Sequence, residues 1–126
     1  MSRWVACAGL LALAGGCGSV TQVRGWAGGP VSAGVEGGNA VVSYTAPQPG
    51  WTLTVDRGRI DGDTAILWLT AEGSTEGPED RTVTTATWAP PDGGHFRCVQ
   101  AHIRLIAPAI TQRAYRPAAV GCTELN

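Results

Sequence analysis

The sequence predicts an all-β protein: a single antiparallel β-sandwich of immunoglobulin-like type that follows a signal segment and a tether. Beyond residue 39, short runs of β-forming residues alternate with clusters of Gly, Pro and Asp. No run in this part of the chain has the sustained periodicity of a helix. The runs are short and evenly spaced, which is typical of two sheets packed face to face.

Six segments carry the strand pattern. Residues 51–55 alternate, with Trp51, Leu53 and Val55 on one face and threonines on the other. Residues 65–69 are apolar on both faces, which predicts a central strand that is buried on two sides. The other four segments are residues 41–45, 82–88, 95–106 and 114–120.

The four cysteines fall into two groups. Cys7 and Cys17 lie near the N-terminus, whereas Cys98 and Cys122 lie in the predicted domain. A domain this small gains much from one crosslink, so we expect Cys98 and Cys122 to be bonded, with Cα atoms about 4.4–6.8 Å apart. The chain-entropy model assigns such a loop closure about 3.5 kcal/mol, and export to an oxidising compartment allows the bond to persist.

Residues 1–16 have the pattern of an export signal. Arg3 supplies the positive charge, residues 4–14 form the apolar segment, and small residues follow. This apolar run is shorter than the roughly 20 residues that cross a bilayer, and no later run is longer. The sequence therefore predicts a mature protein without a transmembrane helix.

The signal ends in Leu13-Ala14-Gly15-Gly16-Cys17. This stretch resembles the lipobox of bacterial lipoproteins, in which small residues precede a cysteine that receives a diacylglyceryl group and becomes the new N-terminus. The resemblance implies lipidation, including palmitate, at Cys17 and attachment to a membrane. The residue after Cys17 is Gly18 and not Asp. In this respect the sequence is similar to Gram-negative lipoproteins that are sorted to the outer membrane.

A second interpretation of the same residues stays open. Ala12-Leu13-Ala14 also fits the pattern of an ordinary secretory signal cleaved after Ala14. Cys17 would then be an unpaired thiol in an exported protein, which is a liability in an oxidising compartment. We therefore favour lipidation of Cys17.

Residues 17–38 are rich in Gly, Ser, Ala and Val and are predicted to be a flexible tether. Such a coil would reach about 25 Å from the anchor. Trp26, within it, either packs on the domain or dips into the lipid interface. The β-sandwich domain is predicted to span residues 39–126.

Charge and spacing argue against several functions. The net charge is −1 and the nine arginines are scattered, so nucleic-acid binding is not expected. His95, Cys98 and His102 lack a zinc-site spacing, and strand geometry sends His95 to the opposite face from the other two. The Gly-x-Ser-x-Gly nucleophile motif is absent. We expect no metal, no cofactor and no catalytic residue.

Tryptophans are the better lead to a binding site. Trp68 lies on the opposite face from Leu67 and Leu69, and Trp88 ends another predicted strand. One interpretation buries both rings in the core; the other makes them an exposed aromatic platform. We take Trp68 and Trp88 as the candidate binding surface.

A further resemblance concerns residues 49–55 (Pro-Gly-Trp-Thr-Leu-Thr-Val) and 62–64 (Gly-Asp-Thr), which precede an apolar strand. This pattern is similar to the C-terminal domain of lipoproteins that stabilise envelope proteases. The resemblance points to the same class, lipoproteins of the cell envelope.

Taken together, these patterns predict a lipid-anchored cell-envelope protein that faces the periplasm or the exterior. Its β-sandwich is expected to act as a non-catalytic binding or interaction module. The expected partners, besides the membrane, are another envelope protein, a peptide or a cell-wall glycan. The alternative is a small exported hydrolase whose site lies at the sandwich loops.

Overall fold

A computed structural model describes residues 18–22, 26, 28–108, 110–111 and 114–123. Within these residues, strands dominate and the only helical element is a 3-10 turn at Pro91–Gly93. The strands are β1 (Gly18–Gln22), β2 (Val31–Glu36), β3 (Asn39–Ala46), β4 (Thr52–Asp61), β5 (Thr64–Glu72), β6 (Thr82–Trp88), β7 (Cys98–Ala107), β8 (Ile110–Thr111) and β9 (Arg116–Thr123). The all-β class is confirmed.

Two sheets make up the sandwich. The larger has the strand order β1-β9-β7-β5-β4, with β8 pairing to β7, and the smaller has the order β2-β3-β6. The prediction of a wholly antiparallel fold was wrong at one place, because β5 and β7 pair in parallel. Between them the chain crosses to the smaller sheet as β6, and the return crossing brings β7 back in the direction of β5. The immunoglobulin-like arrangement stays a prediction.

Strands also occupy the predicted tether. Within residues 17–38, β1 pairs with β9 and β2 pairs with β3. Val31 and Ala33 of β2 are buried in the core. The prediction was wrong because glycine content was taken as flexibility, whereas Val31, Ala33 and Val35 alternate as a strand does and the glycines at 37 and 38 form the turn into β3. Residues 1–17, with the predicted signal and Cys17, lie outside the described residues.

The core is formed by alternate residues of β5 and β7. Leu67, Leu69, Val99 and Ile103 have no exposed surface, and they face the smaller sheet. β5 lies between β4 and β7, as a central strand should. It is nevertheless buried on one face only, because no described element covers its outer residues. Of these, Thr64, Ile66 and Trp68 are half-buried, Thr70 is buried and Glu72 is exposed.

The predicted disulfide joins Cys98 and Cys122, which stand directly opposite each other on β7 and β9. Thr123 N donates to Arg97 O at 2.8 Å, so the two cysteines form a pair that is not itself hydrogen-bonded. Strands approach most closely at such pairs, and the Cα atoms are 4.0 Å apart, less than the expected range. The crosslink therefore fixes two neighbouring strands of one sheet.

Trp26 packs on the domain, as one of the two interpretations had it. Its ring is half-buried against the core, and Nε1 donates to the Gly29 carbonyl at 2.8 Å. Throughout the part of the chain that the structure describes, no helix has the length and hydropathy required to span a bilayer.

The backbones of the two sheets are in close contact where β2 crosses β9. A Cβ atom built at Gly121 would lie 1.7 Å from the carbonyl oxygen of Ala33. Any larger residue at position 121 would therefore force the backbones of the two sheets apart. Gly34, one residue along β2, has no atom within 4 Å of a Cβ built in the same way.

We expect Gly121→Ala to lower the free energy of unfolding by about 3 kcal/mol, because the backbone of β2 cannot yield as a side chain does. Gly34→Ala is the matched control and should change it by less than about 1 kcal/mol. Urea unfolding of the purified chain and both variants measures the difference. Equal stabilities of the two variants would contradict the close crossing.

Candidate binding surface on the outer face of the larger sheet

No described strand covers the outer face of the larger sheet. Strand register aligns its residues in rows that run across β4, β5 and β7. The central row is Arg57, Trp68 and His102, and one neighbouring row is Arg59, Ile66 and Gln100. This face therefore joins an aromatic row to apolar and cationic side chains.

Trp68 is stacked between side chains from both neighbouring strands. The guanidinium carbon of Arg57, on β4, lies 4.3 Å from the centroid of the Trp68 ring. The His102 ring, on β7, lies 5.7 Å away with an interplanar angle of 16°. Because β4 and β7 flank β5 on opposite sides, the two groups cover opposite faces of the indole. We call Arg57, Trp68 and His102 the Trp68 stack. A ligand can reach the outward edge of the indole ring, because both ring faces are covered.

Burial favours the neutral form of His102. Burial lowers the pKa of His102 from its ordinary value of 6.5, and the carbonyl of Leu67 opposes this effect without cancelling it. The Nδ1 atom is buried, and no described residue hydrogen-bonds to it. With a neutral imidazole, the Trp68 ring has a cation, Arg57, on one face only.

A polar network adjoins the Trp68 stack. Thr70, a buried residue of β5, donates its hydroxyl to Asp56 and accepts from Arg104 Nε at 2.8 Å. Tyr115 donates to the same carboxylate oxygen of Asp56 at 2.8 Å, and this bond raises the pKa of Tyr115. Asp56 reaches the network because the register of β4 shifts between Val55 and Arg57. We call Asp56, Thr70, Arg104 and Tyr115 the Thr70 network.

Two cations on this surface have no acidic partner among the described residues. Arg57 and Arg59 are exposed, and the ion pairs of the described chain involve other arginines. Both guanidinium groups lie near Trp68, at 4.3 and 5.7 Å from its ring centroid. Planar guanidinium groups stacked on an aromatic ring keep their donors directed outward, which suits carboxylate or phosphate groups.

Trp88 does not lie on the outer face of the larger sheet. It pairs with Ala40 on the smaller sheet and points between the sheets, where its ring packs over Gly58 and lies 6.2 Å from the Phe96 ring. A Cβ at position 58 would come within 2.6 Å of the indole. Trp88 is thus a half-buried part of the core. Of the two predicted tryptophans, only Trp68 is on an outer sheet face.

A pocket of about 230 Å³ opens at the other end of the sandwich. Its wall includes Tyr44 and Trp51, whose rings are 5.7 Å apart, and Trp51 Nε1 donates to Ser74 O at 3.0 Å. Burial raises the pKa of Tyr44. Of the described residues that line the pocket, Glu79 is the only one with a carboxylate, and none is a histidine or a cysteine. These residues do not pair a base with a nucleophile.

The residues considered as metal ligands do not converge. His95 lies in the loop before β7 and is exposed, not on the strand as predicted. Cys98 is bonded to Cys122, and His102 is stacked on Trp68. Among the described residues, no group of three His, Cys, Asp or Glu side chains could hold a metal ion.

The sequence did not reveal the partners of Trp68. Arg57 aligns with Trp68 only because of the register shift in β4, and His102 only because β5 and β7 are parallel. Neither is visible in a strand pattern. The signal that could have been used is the alternation of β7, which places Gln100, His102 and Arg104 together on the face opposite the core.

Comparisons of the chain with protein-family models, with characterised proteins and with solved structures found no significant match. The geometry of the surface is therefore the basis for the functional argument.

We expect the imidazole of His102 to titrate below pH 6.5, because its charged form is disfavoured by burial. The folded protein then binds fewer protons than the unfolded chain, so stability falls as the pH drops from 6.5 through the folded-state pKa. Trp68→Leu readmits water and should move the midpoint back toward 6.5. NMR titration of the ring in both proteins measures this. A midpoint at or above 6.5 in the wild type would be inconsistent with the stack.

Proposed function

We propose that this chain is a lipid-anchored cell-envelope protein whose sandwich binds a partner through the outer face of its larger sheet. The observation that supports this most directly is the Trp68 stack, which holds an aromatic edge and an outward-facing guanidinium group on an uncovered sheet. Aromatic and Arg side chains supply much of the binding energy in protein interfaces. The partner class is an envelope protein, a peptide or a cell-wall glycan.

The geometry favours binding over catalysis. A hydrolase that used His102 as its base would need that ring beside a carboxylate or a nucleophile. Instead His102 stacks on Trp68, and Asp56, the acidic residue of the Thr70 network, accepts hydrogen bonds from Thr70 and Tyr115. Both bonds are accepted by the same oxygen, Oδ2, so this carboxylate orients Thr70 and Tyr115.

Preorganisation supports the same proposal. Thr70 fixes Arg104 and Asp56, and Trp68 fixes Arg57, so these three side chains of the surface are already restrained before any partner arrives. Restrained side chains lose less conformational entropy on binding. A surface that served only solubility would gain nothing from such restraint.

The anchor remains part of the proposal through Cys17. β1 begins at Gly18, the next residue, and pairs with β9 at the edge of the larger sheet opposite to β4. A lipid on Cys17 would therefore hold the domain close to the membrane by its β1 edge, without the spacer that the glycine content suggested. Arg57 and Arg59, on β4, would lie at the far edge.

We expect Trp68→Ala and the double change Arg57→Gln with Arg59→Gln each to abolish capture of the partner that in-cell crosslinking identifies. The arginine variant should lower the thermal midpoint by only a few degrees, because both side chains are exposed and the Arg57–Trp68 contact is worth about 0.5–1 kcal/mol. Trp88→Ala is the matched control: it removes core packing, so it should lower the midpoint by several degrees. Retained capture by the folded arginine variant would refute a role for this face.

We expect Cys17→Ser to remove the lipid acceptor and to move the protein from the membrane fraction to the soluble exported fraction. Metabolic labelling with a fatty-acid analogue, followed by fractionation, is the direct measurement. Cys7→Ser is the control and should label like the wild type, since Cys7 lies in the predicted signal. Equal labelling of the Cys17 variant and the wild type would show that lipidation does not depend on Cys17.

A further inference from the structure

Strand β6 is an edge strand that lacks the usual protection. Among the described residues it pairs with β3 alone, and its other side is open. Its sequence, Thr-Val-Thr-Thr-Ala-Thr-Trp, has no charge and no proline, and its pairing with β3 has no register shift. Open edges normally carry charges, prolines or bulges that prevent further pairing. Val83 is 61% exposed, the most exposed large hydrophobic residue in the described chain.

Strand β4, the edge strand on the same side of the sandwich as β6, has the protection that β6 lacks. β4 ends the larger sheet and carries Asp56, Arg57, Arg59 and Asp61, together with a register shift at Val55. Charged side chains and an irregular register both hinder the pairing of a further strand with an edge. The protein thus protects one edge and leaves its neighbour unprotected.

The backbone groups of β6 that face the open edge can be identified. Thr45 N donates to Pro30 O at 2.9 Å, so Val31 and Tyr44 are a pair without hydrogen bonds between them, and the backbone of Tyr44 points toward β6. Antiparallel pairing alternates from there. Tyr44 and Thr84 form a pair joined by backbone hydrogen bonds. In β6, the residues on either side of each such hydrogen-bonded residue direct their N–H and carbonyl groups away from β3, to the open side. Those residues are Val83, Thr85 and Thr87.

We propose that two copies of this chain pair through β6, antiparallel and edge to edge, to form one continuous sheet from their two smaller sheets. A two-fold axis at Thr85 places it opposite its own copy and sets Val83 opposite Thr87 of the second copy. All three are exposed β-branched residues, which suit cross-strand pairs. Each copy contributes three N–H groups and three carbonyl groups, and no like charges meet.

The symmetry has a consequence for the proposed binding surface. The axis is perpendicular to the smaller sheets, so it carries each outer face onto one that points the same way. Both Trp68 stacks then lie on one side of the dimer. The β1 edge that carries each anchor is remote from the axis, so the two Cys17 anchors reach one membrane only if the sheets lie flat along that membrane.

A single strand pair is smaller than the roughly 1,200–2,000 Å² interface of a stable complex. The dimer is therefore best detected in place, by crosslinking in cells that express the full chain. We expect Thr85→Cys to form a disulfide-linked dimer under mild oxidation, because paired Cα atoms across the axis are about 5.5 Å apart. Thr54→Cys, an exposed threonine on β4, is the matched control and should stay monomeric. No dimer, equal dimer from both variants, or a product with another protein alone would overturn the proposal.

A charge exchange then tests the register. In the Thr85→Cys background, Val83→Lys with Thr87→Lys sets like charges opposite each other twice and should reduce the dimer yield about tenfold. Val83→Lys with Thr87→Glu sets opposite charges together and should restore the yield. Both positions are exposed, so folding is preserved, and protease resistance of each variant checks this. Equal yields from the two charge sets would overturn the two-fold register.

Discussion

Burial of one face of the β5–β7 pair is the constraint on which the rest of the structure depends. Leu67 and Leu69 on β5 and Val99 and Ile103 on β7 are fully enclosed between the two sheets. Because side chains alternate along a strand, fixing these residues inward fixes their neighbours outward. A slip of one residue in either strand would place Trp68 or His102 in the core and expose the leucines. The Trp68 stack therefore exists because the core does.

The parallel pairing of β5 and β7 is the second determinant of the surface. It sets Trp68 opposite His102, whereas a reversed β7 in the same place would bring different residues into the row. The register shift in β4 does the same on the other side by aligning Arg57 with Trp68 and leaving Asp56 to Thr70. Bulges commonly redirect a side chain in this way near a functional site. One stack is thus assembled from three strands that are distant in sequence.

The sequence predicted what depends on local alternation and missed what depends on pairing. The bounds of β6, residues 82–88, and the faces of Trp51, Leu53 and Trp68 follow from period-two patterns and were confirmed. The pairing of Cys98 with Cys122 followed from there being two cysteines in the domain. Strand partners and the parallel pair could not be derived. They are set by contacts between distant segments, such as Ala33 against Gly121, for which a single sequence carries no signal. The alternation of Val31, Ala33 and Val35 was present in the sequence, but the glycine content was given more weight.

The charges of β4 serve two purposes at once. Arg57 covers one face of Trp68, a contact worth about 0.5–1 kcal/mol at an exposed site. The same residue, with Arg59, Asp56 and Asp61, keeps the open edge of the larger sheet from pairing with another strand. An uncharged β4 would lose both the stack and the protection. The lack of charge on β6 is therefore not a general property of this sandwich. The charged β4 edge borders a surface suited to ligands, whereas the uncharged β6 edge is suited to pairing with a second copy.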